Sequence, residues 1–521
     1  MRTELVIVGL FAVATLVALA ARRLKVPYTV ALVLAGLGLG SAHVFEAPHL
    51  TKELLYTIFL PGLLFEAAFH IEFRKFLQNK LAVFSLSLPG VIASVLLTTV
   101  LLVPTVEGLA LEERFTWREG LVFASLIAAT DPIAVVALFK SLGAPKRLAV
   151  LVEGESLLND GTSVVVFTLV LAFVTGAPTT AAHAVVDFAR VVGLGVLIGL
   201  TIGYAASFVI HKVDDPMIEI TVTTIAAYGS FAVAESVHLS GVIATVTAGM
   251  LCGNHAAPTG MSASTRVAVA SFWEYLAFAL NSLVFLLIGF EVRLEELLHA
   301  WRPVLVAFAA VTIARAVVIG GVGIGLSRTR EKIPLPWLGV LTWGGLRGAL
   351  SMVLVLGLPT DFGHRSILVT TTFGVVILSI LVQGTTMGSL LRKLRLVSAS
   401  ETKLEHEKLR GRLKSGRSAL AELQRMSAQR GFAEQAVAPL RDEYERRVRE
   451  TEQSLEALHS RFEGFAEEER LVARRQALIV EKDTILSAYR SGEIGEQSYE
   501  ELLADVDARL FELESSGDPT A

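Results

Sequence analysis

Long apolar stretches separated by short polar connections occupy about the first 400 residues of the chain. Most approach the ~20 residues that an α-helix needs to cross the hydrocarbon core of a bilayer. Because a lipid-exposed segment must satisfy its own backbone groups, helices are expected. The pattern predicts an all-α polytopic membrane protein with thirteen transmembrane helices, near 4–21, 28–44, 52–71, 81–103, 118–139, 147–174, 188–210, 216–235, 239–253, 268–290, 302–327, 335–357 and 366–391.

The pattern changes after the last apolar segment. Charged blocks such as 440–447 indicate amphipathic helices. We therefore divide the chain into a transmembrane domain at 1–395 and a cytoplasmic, charged helical domain at 400–521. Breaks between the helices of this tail are expected at Gly431, Pro439 and 491–495. The tail is interpreted as a solvated helical hairpin that aids assembly, or as a regulatory element whose partner the sequence does not identify.

Composition excludes several other classes of protein. The chain is 53% hydrophobic with a mean hydropathy of +0.59, which is too apolar for an ordinary soluble protein. The tail carries a net charge of −7 and the rest +3. Neither part has the dense basic patch of a nucleic-acid-binding protein. The single cysteine, Cys252, excludes an intrachain disulfide and a cysteine-based metal cluster.

The distribution of Lys and Arg in the connections predicts the orientation. Alternate connections hold seventeen basic residues, and the opposite set holds eight. Cytoplasmic loops carry the excess of positive charge. The N-terminus is therefore expected outside and the tail in the cytoplasm, which requires an odd number of spans.

Asp131 lies in an apolar span directly before Pro132. Proline lacks a backbone donor and disfavours helical geometry at the preceding residue, so the helix should unwind here. A second interruption is expected in the Gly-rich run 343–348. Two interrupted spans, one in each half, favour an inverted-repeat transporter whose site lies where they cross. The alternative is that Pro132 only kinks a structural helix.

A second intramembrane carboxylate, Asp160, belongs to a polar stripe with Glu155, Ser156 and Asn159. Their four-residue spacings predict one helix face. At ~1.5 Å per residue, Asp160 lies ~20 Å from the cytoplasmic end of its segment, and Asp131 lies ~14 Å from the end of its own. Carboxylate, hydroxyl and amide oxygens suit a hard cation. A carboxylate that holds either H⁺ or Na⁺ would be sufficient for an exchanger; a structural salt-bridge network is the alternative.

Three further intramembrane charges have separate interpretations. Arg315 needs a counter-ion, and Glu155 is the best candidate, in a structural role. Arg347, at the second helix break, either offsets carbonyl ends there or tunes the site electrostatically. Glu66 either lines a cytoplasmic funnel or is a snorkelling group near the end of a span.

These motifs resemble those of the sodium/proton exchangers of the monovalent cation/proton antiporter superfamily, over nearly all of residues 1–395. The resemblance rests on 129–132 and 153–161, with support from 272–274, Asn281, 314–315 and 344–349. It implies a homodimer of thirteen-span protomers, each with a six-helix core domain that moves against a dimerisation domain. It also implies the Glu155–Arg315 pair, Asp160 as the main ion carrier, and four residues around the ion: Asp131, Thr130, Asn159 and Ser156.

The Asn159-Asp160 pair resembles the electroneutral branch, which exchanges one Na⁺ for one H⁺. The sequence thus predicts an electroneutral Na⁺ (or Li⁺)/H⁺ antiporter with elevator-like alternating access, located in the plasma membrane. No enzyme activity and no cofactor are expected. The alternatives are a K⁺/H⁺ antiporter, a cation channel and an intramembrane aspartyl protease in which two aspartates share a proton.

Overall fold

The structure is a computed structural model, and it describes residues 3–24, 27–41, 52–112, 115–176, 181–291, 294–396, 400–428, 434–461 and 464–516. The chain forms two compact units, Met1–Ser398 and Ala399–Ala521. Every regular element in the described residues is a helix.

The first unit consists of membrane-type helices joined by short connections. Three pairs of these helices are continuous through π-helical turns at Leu55–Phe59, Cys252–Ala256 and Ser379–Gly384. In chain order the helices are α1 (Thr3–Leu24), α2 (Tyr28–Ser41), α3 (Lys52–Leu54), α4 (Leu60–His70), α5 (Phe73–Gln78), α6 (Lys80–Ser87), α7 (Pro89–Gly108), α8 (Trp117–Leu126), α9 (Ile133–Leu142), α10 (Lys146–Val174), α11 (Ala181–Ile210), α12 (Pro216–Ser236), α13 (Gly241–Leu251), α14 (Ala257–Gly260), α15 (Ala263–Glu291), α16 (Leu294–His299), α17 (Trp301–Leu326), α18 (Leu335–Trp343), α19 (Ala349–Leu356), α20 (Arg365–Leu378) and α21 (Thr385–Lys393).

Each of the thirteen predicted segments falls on a helix or on a run of consecutive helices, as far as the structure describes it. Within the described part of the chain, seven helical stretches are long and apolar enough to cross a membrane: 80–108, 146–174, 185–210, 216–236, 264–291, 301–326 and 365–393. Shorter apolar helices lie at Val8–Ala21, Tyr28–Ser41, Leu55–His70 and Ile133–Leu142. The count of thirteen spans therefore stays a prediction.

The two predicted helix breaks are present. Residues 127–132 separate α8 from α9, and residues 344–348 separate α18 from α19. The first break follows from Pro132, which cannot donate a helical hydrogen bond and disfavours helical geometry at Asp131. The second follows from a run of glycines, whose helix propensity is about 1 kcal/mol below that of alanine. Each of these two spans is thus a pair of half-helices.

Local signals define where other helices begin and end. Thr116 and Glu119 form a reciprocal capping box at the start of α8. The carboxylate of Asp215 accepts from two backbone N–H groups at the start of α12, and Pro216 takes the first helical position. The helix α9 ends at Gly143, which has a left-handed φ of 66°.

Packing arranges the half-helices against continuous helices. The long helix α10 contacts α8 and α6, while α17 contacts both α18 and α20. On the other side, α15 packs along α2 and against α4. A single large cluster of buried apolar side chains extends through most of these helices. The helix breaks lie within this packed interior, where freed backbone groups can find protein partners.

The second unit contains four long helices, α22 (Ser400–Ala428), α23 (Glu434–Arg461), α24 (Gly464–Arg490) and α25 (Glu496–Ser516). The pairs α22–α23 and α24–α25 pack together. The break at 491–495 is present, with Gly492 at φ 78°. The break expected at Pro439 is wrong, because α23 continues through this proline near its N-terminal end. Gly431 lies outside the described residues.

Candidate ion site at the crossing of two interrupted helices

The two helix breaks meet inside the first unit. The backbone N–H of Asp131, in the first break, donates to the carbonyl of Leu346, in the second, at 2.8 Å. The backbone N–H of Arg347 donates to the hydroxyl of Ser379 at 3.1 Å. Backbone groups freed by one interruption are thus satisfied by the other and by a neighbouring helix. The crossing that the sequence predicts is therefore a direct contact.

Two arginines bind the carbonyl ends of the first half-helix of each pair. The guanidinium of Arg347 donates to the carbonyls of Ala128 at 2.8 Å and Ala129 at 3.2 Å, just beyond α8. Arg315 donates to the carbonyl of Leu341, near the end of α18, at 3.1 and 2.9 Å. The last carbonyls of a helix lack partners and form the negative end of its dipole. The positive charges therefore stabilise both interruptions.

Glu155 and Arg315 form a two-pronged ion pair. Both terminal nitrogens of the guanidinium lie 2.9 Å from the carboxylate oxygens. Both residues are buried, at 3% and 8% exposure. A Cβ atom at Gly345 would overlap the Arg315 guanidinium, so the glycine leaves room for the arginine at the second break. The two residues that the sequence pairs are thus in contact.

The neighbouring polar side chains of α10 hold the first break in place. The amide nitrogen of Asn159 donates to the Thr130 hydroxyl at 3.0 Å and to the Ala128 carbonyl at 3.2 Å. The amide oxygen of Asn159 accepts from the Ser163 hydroxyl at 2.7 Å. The hydroxyl of Ser156 donates to the carbonyl of Thr130. The extended residues before Pro132 are therefore fastened to α10.

A cavity of about 100 Å³ lies between this crossing and the helices α4 and α15. Its polar lining residues are Thr130, Asp131, Glu153, Ser156, Asp160 and Asn281. One oxygen of Asp131 accepts from the backbone N–H of Ile133 at 3.0 Å, at the start of α9. The carboxylate of Asp160 makes no hydrogen bond to a described residue. Its oxygens are therefore available to whatever occupies the cavity.

The predicted polar stripe of α10 divides between two directions. Ser156 and Asp160 line the cavity, whereas Glu155 and Asn159 face Arg315 and the first break. Successive residues of a helix are rotated by about 100° around its axis. The pair Ser156 and Asp160 therefore points in a different direction from the pair Glu155 and Asn159. Two residues of the stripe thus line the cavity, and the other two bind Arg315 and the first break beside it.

Glu66 lies on α4, outside the lining of the cavity. Its carboxylate is 3.3 Å from Nδ1 of His70, and its side chain is 25% exposed. Leu63 and Ala67, on the same helix, do line the cavity. The possible funnel role of Glu66 stays a prediction.

Two lining residues, Glu153 and Asn281, belong to the motifs that carry the resemblance but were given no role from the sequence. Glu153 lies seven residues before Asp160 on α10, a spacing of about two helical turns that places both on one face. Asn281 is a lone amide in the apolar span of α15. A polar side chain at membrane depth is itself a signal of function, and this signal could have identified both.

Comparison with known proteins identifies the family of the chain. The profile of the family described as "Sodium/hydrogen exchanger, transmembrane" matches residues 10–393. This chain belongs to that family. The Na⁺/H⁺ antiporter ApNhaP of Aphanothece halophytica is 34% identical over 493 residues, which cover 92% of each chain. The low-affinity Na⁺/H⁺ antiporter NhaS1 of Synechocystis is 37% identical over 77% of this chain and 76% of the relative.

A solved structure supports the fold of this exchanger-family protein. The sodium proton antiporter MjNhaP1 of Methanocaldococcus jannaschii aligns with a TM-score of 0.61 at 19% identity, covering 76% of this chain and 99% of that one. The predicted all-helical membrane fold is confirmed. The protein is an integral membrane transporter rather than an enzyme, because its family is one of exchangers.

Proposed function

We propose that the protein exchanges Na⁺, or Li⁺, for H⁺ across the membrane. The observation that carries the proposal is the Asp160 carboxylate, which lines a cavity at the crossing and has no hydrogen-bonding partner among the described residues. An intramembrane carboxylate is costly unless it serves a function. Because it binds a metal ion or a proton but not both, one residue can couple the two fluxes. The relatives ApNhaP and NhaS1, both named Na⁺/H⁺ antiporters, favour sodium over potassium.

The proposed Na⁺ site is centred on Asp160 and Asp131. Hydroxyl and carboxylate oxygens are the ligands that a hard cation prefers when it sheds water. Ser156 and Thr130 line the same cavity as the two aspartates, which supports their place around the ion. Asn159 belongs to the proposed group, and its hydrogen bond to the Thr130 hydroxyl supports that assignment.

The exchange of one Na⁺ for one H⁺ is expected if one carboxylate, that of Asp160, carries each ion in turn. Asp160 is neutralised by either cation, so the loaded site carries the same charge in both directions. The neighbouring position holds a neutral amide, Asn159, rather than a second carboxylate. The proposal is therefore electroneutral exchange, and the transported ions are its only substrates, with no cofactor.

An elevator-like alternation of access is the proposed transport mechanism. The cavity separates the half-helices and α10 from α4 and α15. Movement of the first group against the second would expose Asp160 to the two sides of the membrane in turn. We further propose a homodimer in the lipid of the plasma membrane, with the N-terminus outside, the tail in the cytoplasm, and a function in pH homeostasis. The tail's partner is left open.

Reconstitution in liposomes tests the proposal. Purified protein is sealed in vesicles that contain a pH dye, and Na⁺, Li⁺ or K⁺ is added outside with the membrane voltage free or clamped. Proton movement driven by Na⁺ or Li⁺, and independent of voltage, is expected. A response to K⁺ alone would favour the K⁺/H⁺ alternative, and passive flux without coupling to a pH gradient would favour a channel. Cleavage of model membrane substrates would favour a protease.

A further inference from the structure

The part of the cavity lining that comes from α15 carries an amide with no assigned role. Asn281 lies near the middle of α15, within a stretch of otherwise apolar lining from α4 and α15. It is buried, at 6% exposure, and lines the same cavity as the two aspartates. The cavity therefore receives Asn281 from α15 and Asp160 from α10.

The hydrogen bonding of Asn281 differs from that of the chain's other asparagines. Asn79, Asn159 and Asn254 each use both ends of the amide, with the nitrogen donating and the oxygen accepting. Asn281 makes no side-chain hydrogen bond to a described residue. A polar side chain that lines a cavity bonds to what the cavity contains. The natural partner of the Asn281 amide is therefore the content of the cavity.

We propose that the amide oxygen of Asn281 is a further ligand of the transported cation, supplied by α15 to the cavity that Asp160 lines. This inference rests on the proposed Na⁺/H⁺ exchange. A carbonyl-type oxygen is a good ligand for a hard monovalent cation, and it adds no charge. Binding is strengthened while the balance between one cation and one proton is kept.

The position of Asn281 also gives it a role in selectivity. Each oxygen held in a fixed place around an ion narrows the range of metal–oxygen distances that the cavity can offer. The Asn281 oxygen, held in place by α15, sets the spacing between the ligand oxygens that an ion must fit. Asn281 therefore helps to discriminate Li⁺ from Na⁺ by size.

Two substitutions separate a ligand role from a packing role. Asn281→Leu keeps the approximate size and removes the oxygen, whereas Asn281→Asp keeps an oxygen in the same place. Ser282→Ala is the matched control, because the neighbouring hydroxyl is buried, donates to the Phe278 carbonyl and does not line the cavity. Each variant is reconstituted as the full chain after its elution as a monodisperse species has been checked.

The measured quantities are the half-saturating concentrations of Na⁺ and Li⁺ for cation-driven proton movement. Loss of one neutral ligand is expected to raise the half-saturating Na⁺ concentration about tenfold in Asn281→Leu, the change that ~1.4 kcal/mol produces. The ratio of the Na⁺ to the Li⁺ value is expected to shift in the same variant. Ser282→Ala is expected to stay within a few-fold of the wild type, and Asn281→Asp, which keeps an oxygen there, is expected to bind Na⁺ more tightly than Asn281→Leu.

Unchanged affinities and an unchanged ratio in Asn281→Leu would overturn the inference while leaving Na⁺/H⁺ exchange intact. If that variant does not fold, Asn281→Ala and Asn281→Asp are compared: tighter binding in the aspartate variant supports the ligand role, and equal affinity overturns it. Absence of cation-driven proton movement in the wild type would instead refute the proposed function.

Discussion

Glu155 and Arg315 are 160 residues apart in the sequence and form a buried ion pair with two contacts of 2.9 Å. The same guanidinium binds the carbonyl of Leu341 at the second helix break. One side chain therefore joins α10, α17 and the end of α18. This link connects the helix that carries Asp160 to the half-helices that cross beside it.

Removal of one partner of this pair is expected to destabilise the protein severely. Arg315→Met leaves the Glu155 carboxylate buried and uncompensated, a situation that costs about 3–5 kcal/mol. The midpoint of thermal unfolding in detergent measures the loss. The double variant Glu155→Leu/Arg315→Met is expected to recover part of the stability but not all, because the Leu341 carbonyl stays without its donor. If the double variant is no more stable than the single one, the pair is not the source of the effect.

Replacement of Asp160 is expected to stop transport without unfolding the protein. Asp160→Asn keeps the shape of the side chain and removes the negative charge, so neither H⁺ nor Na⁺ can be exchanged there. Cation-driven pH change in liposomes should fall to the level of empty vesicles. Asp361→Asn, at an exposed position between α19 and α20, is the matched control and should transport normally. Normal exchange by Asp160→Asn would remove this residue from the mechanism.

The sequence predicted the helix break and the ion pair best, because each follows from the chemistry of one or two residues. Pro132 cannot continue a helix in the ordinary way, so the break at Asp131 could be predicted from the dipeptide alone. The need of Arg315 for a counter-ion likewise pointed to Glu155, because a charge in a membrane interior must be paired. Such inferences depend on which groups are present more than on how the chain folds around them.

The direction of individual side chains could not be predicted in the same way. Asn159 and Asp160 are neighbours, yet one fastens the first break and the other lines the cavity. Arg347 binds carbonyls of the other interrupted helix, and Asn281 faces the cavity from a distant span. Each of these relations depends on helix rotation and long-range packing. Pro439 shows the converse, since α23 continues through this exposed proline although the residue usually ends a helix.

The amide of Asn159 gives rise to a prediction that concerns stoichiometry. Asn159→Asp places two aspartates side by side, and a second exchanging carboxylate would make the transport electrogenic. In this structure the amide nitrogen donates to Thr130 and Ala128, and an ionised carboxylate cannot donate. We expect the variant to lose about 1–3 kcal/mol because the Thr130 hydroxyl loses this donor, whereas the Ala128 carbonyl keeps Arg347 as its donor. Thermal unfolding and voltage-clamped transport measure the two consequences; a stable variant that carries a current would contradict this expectation.

Gly348 provides a steric test of the crossing. Its φ of −124° is open to any residue, but a Cβ atom there would overlap the side chain of Asp131. Gly348→Ala is therefore expected to displace the Asp131 carboxylate and to lower the apparent affinity for Na⁺ at least tenfold, which corresponds to ~1.4 kcal/mol. Gly321→Ala on α17 is the control, because a Cβ at Gly321 meets no atom within 4 Å. Liposome transport over a range of Na⁺ concentrations distinguishes the two variants. If Gly348→Ala keeps the wild-type apparent affinity for Na⁺, Asp131 does not need its present position to bind the ion.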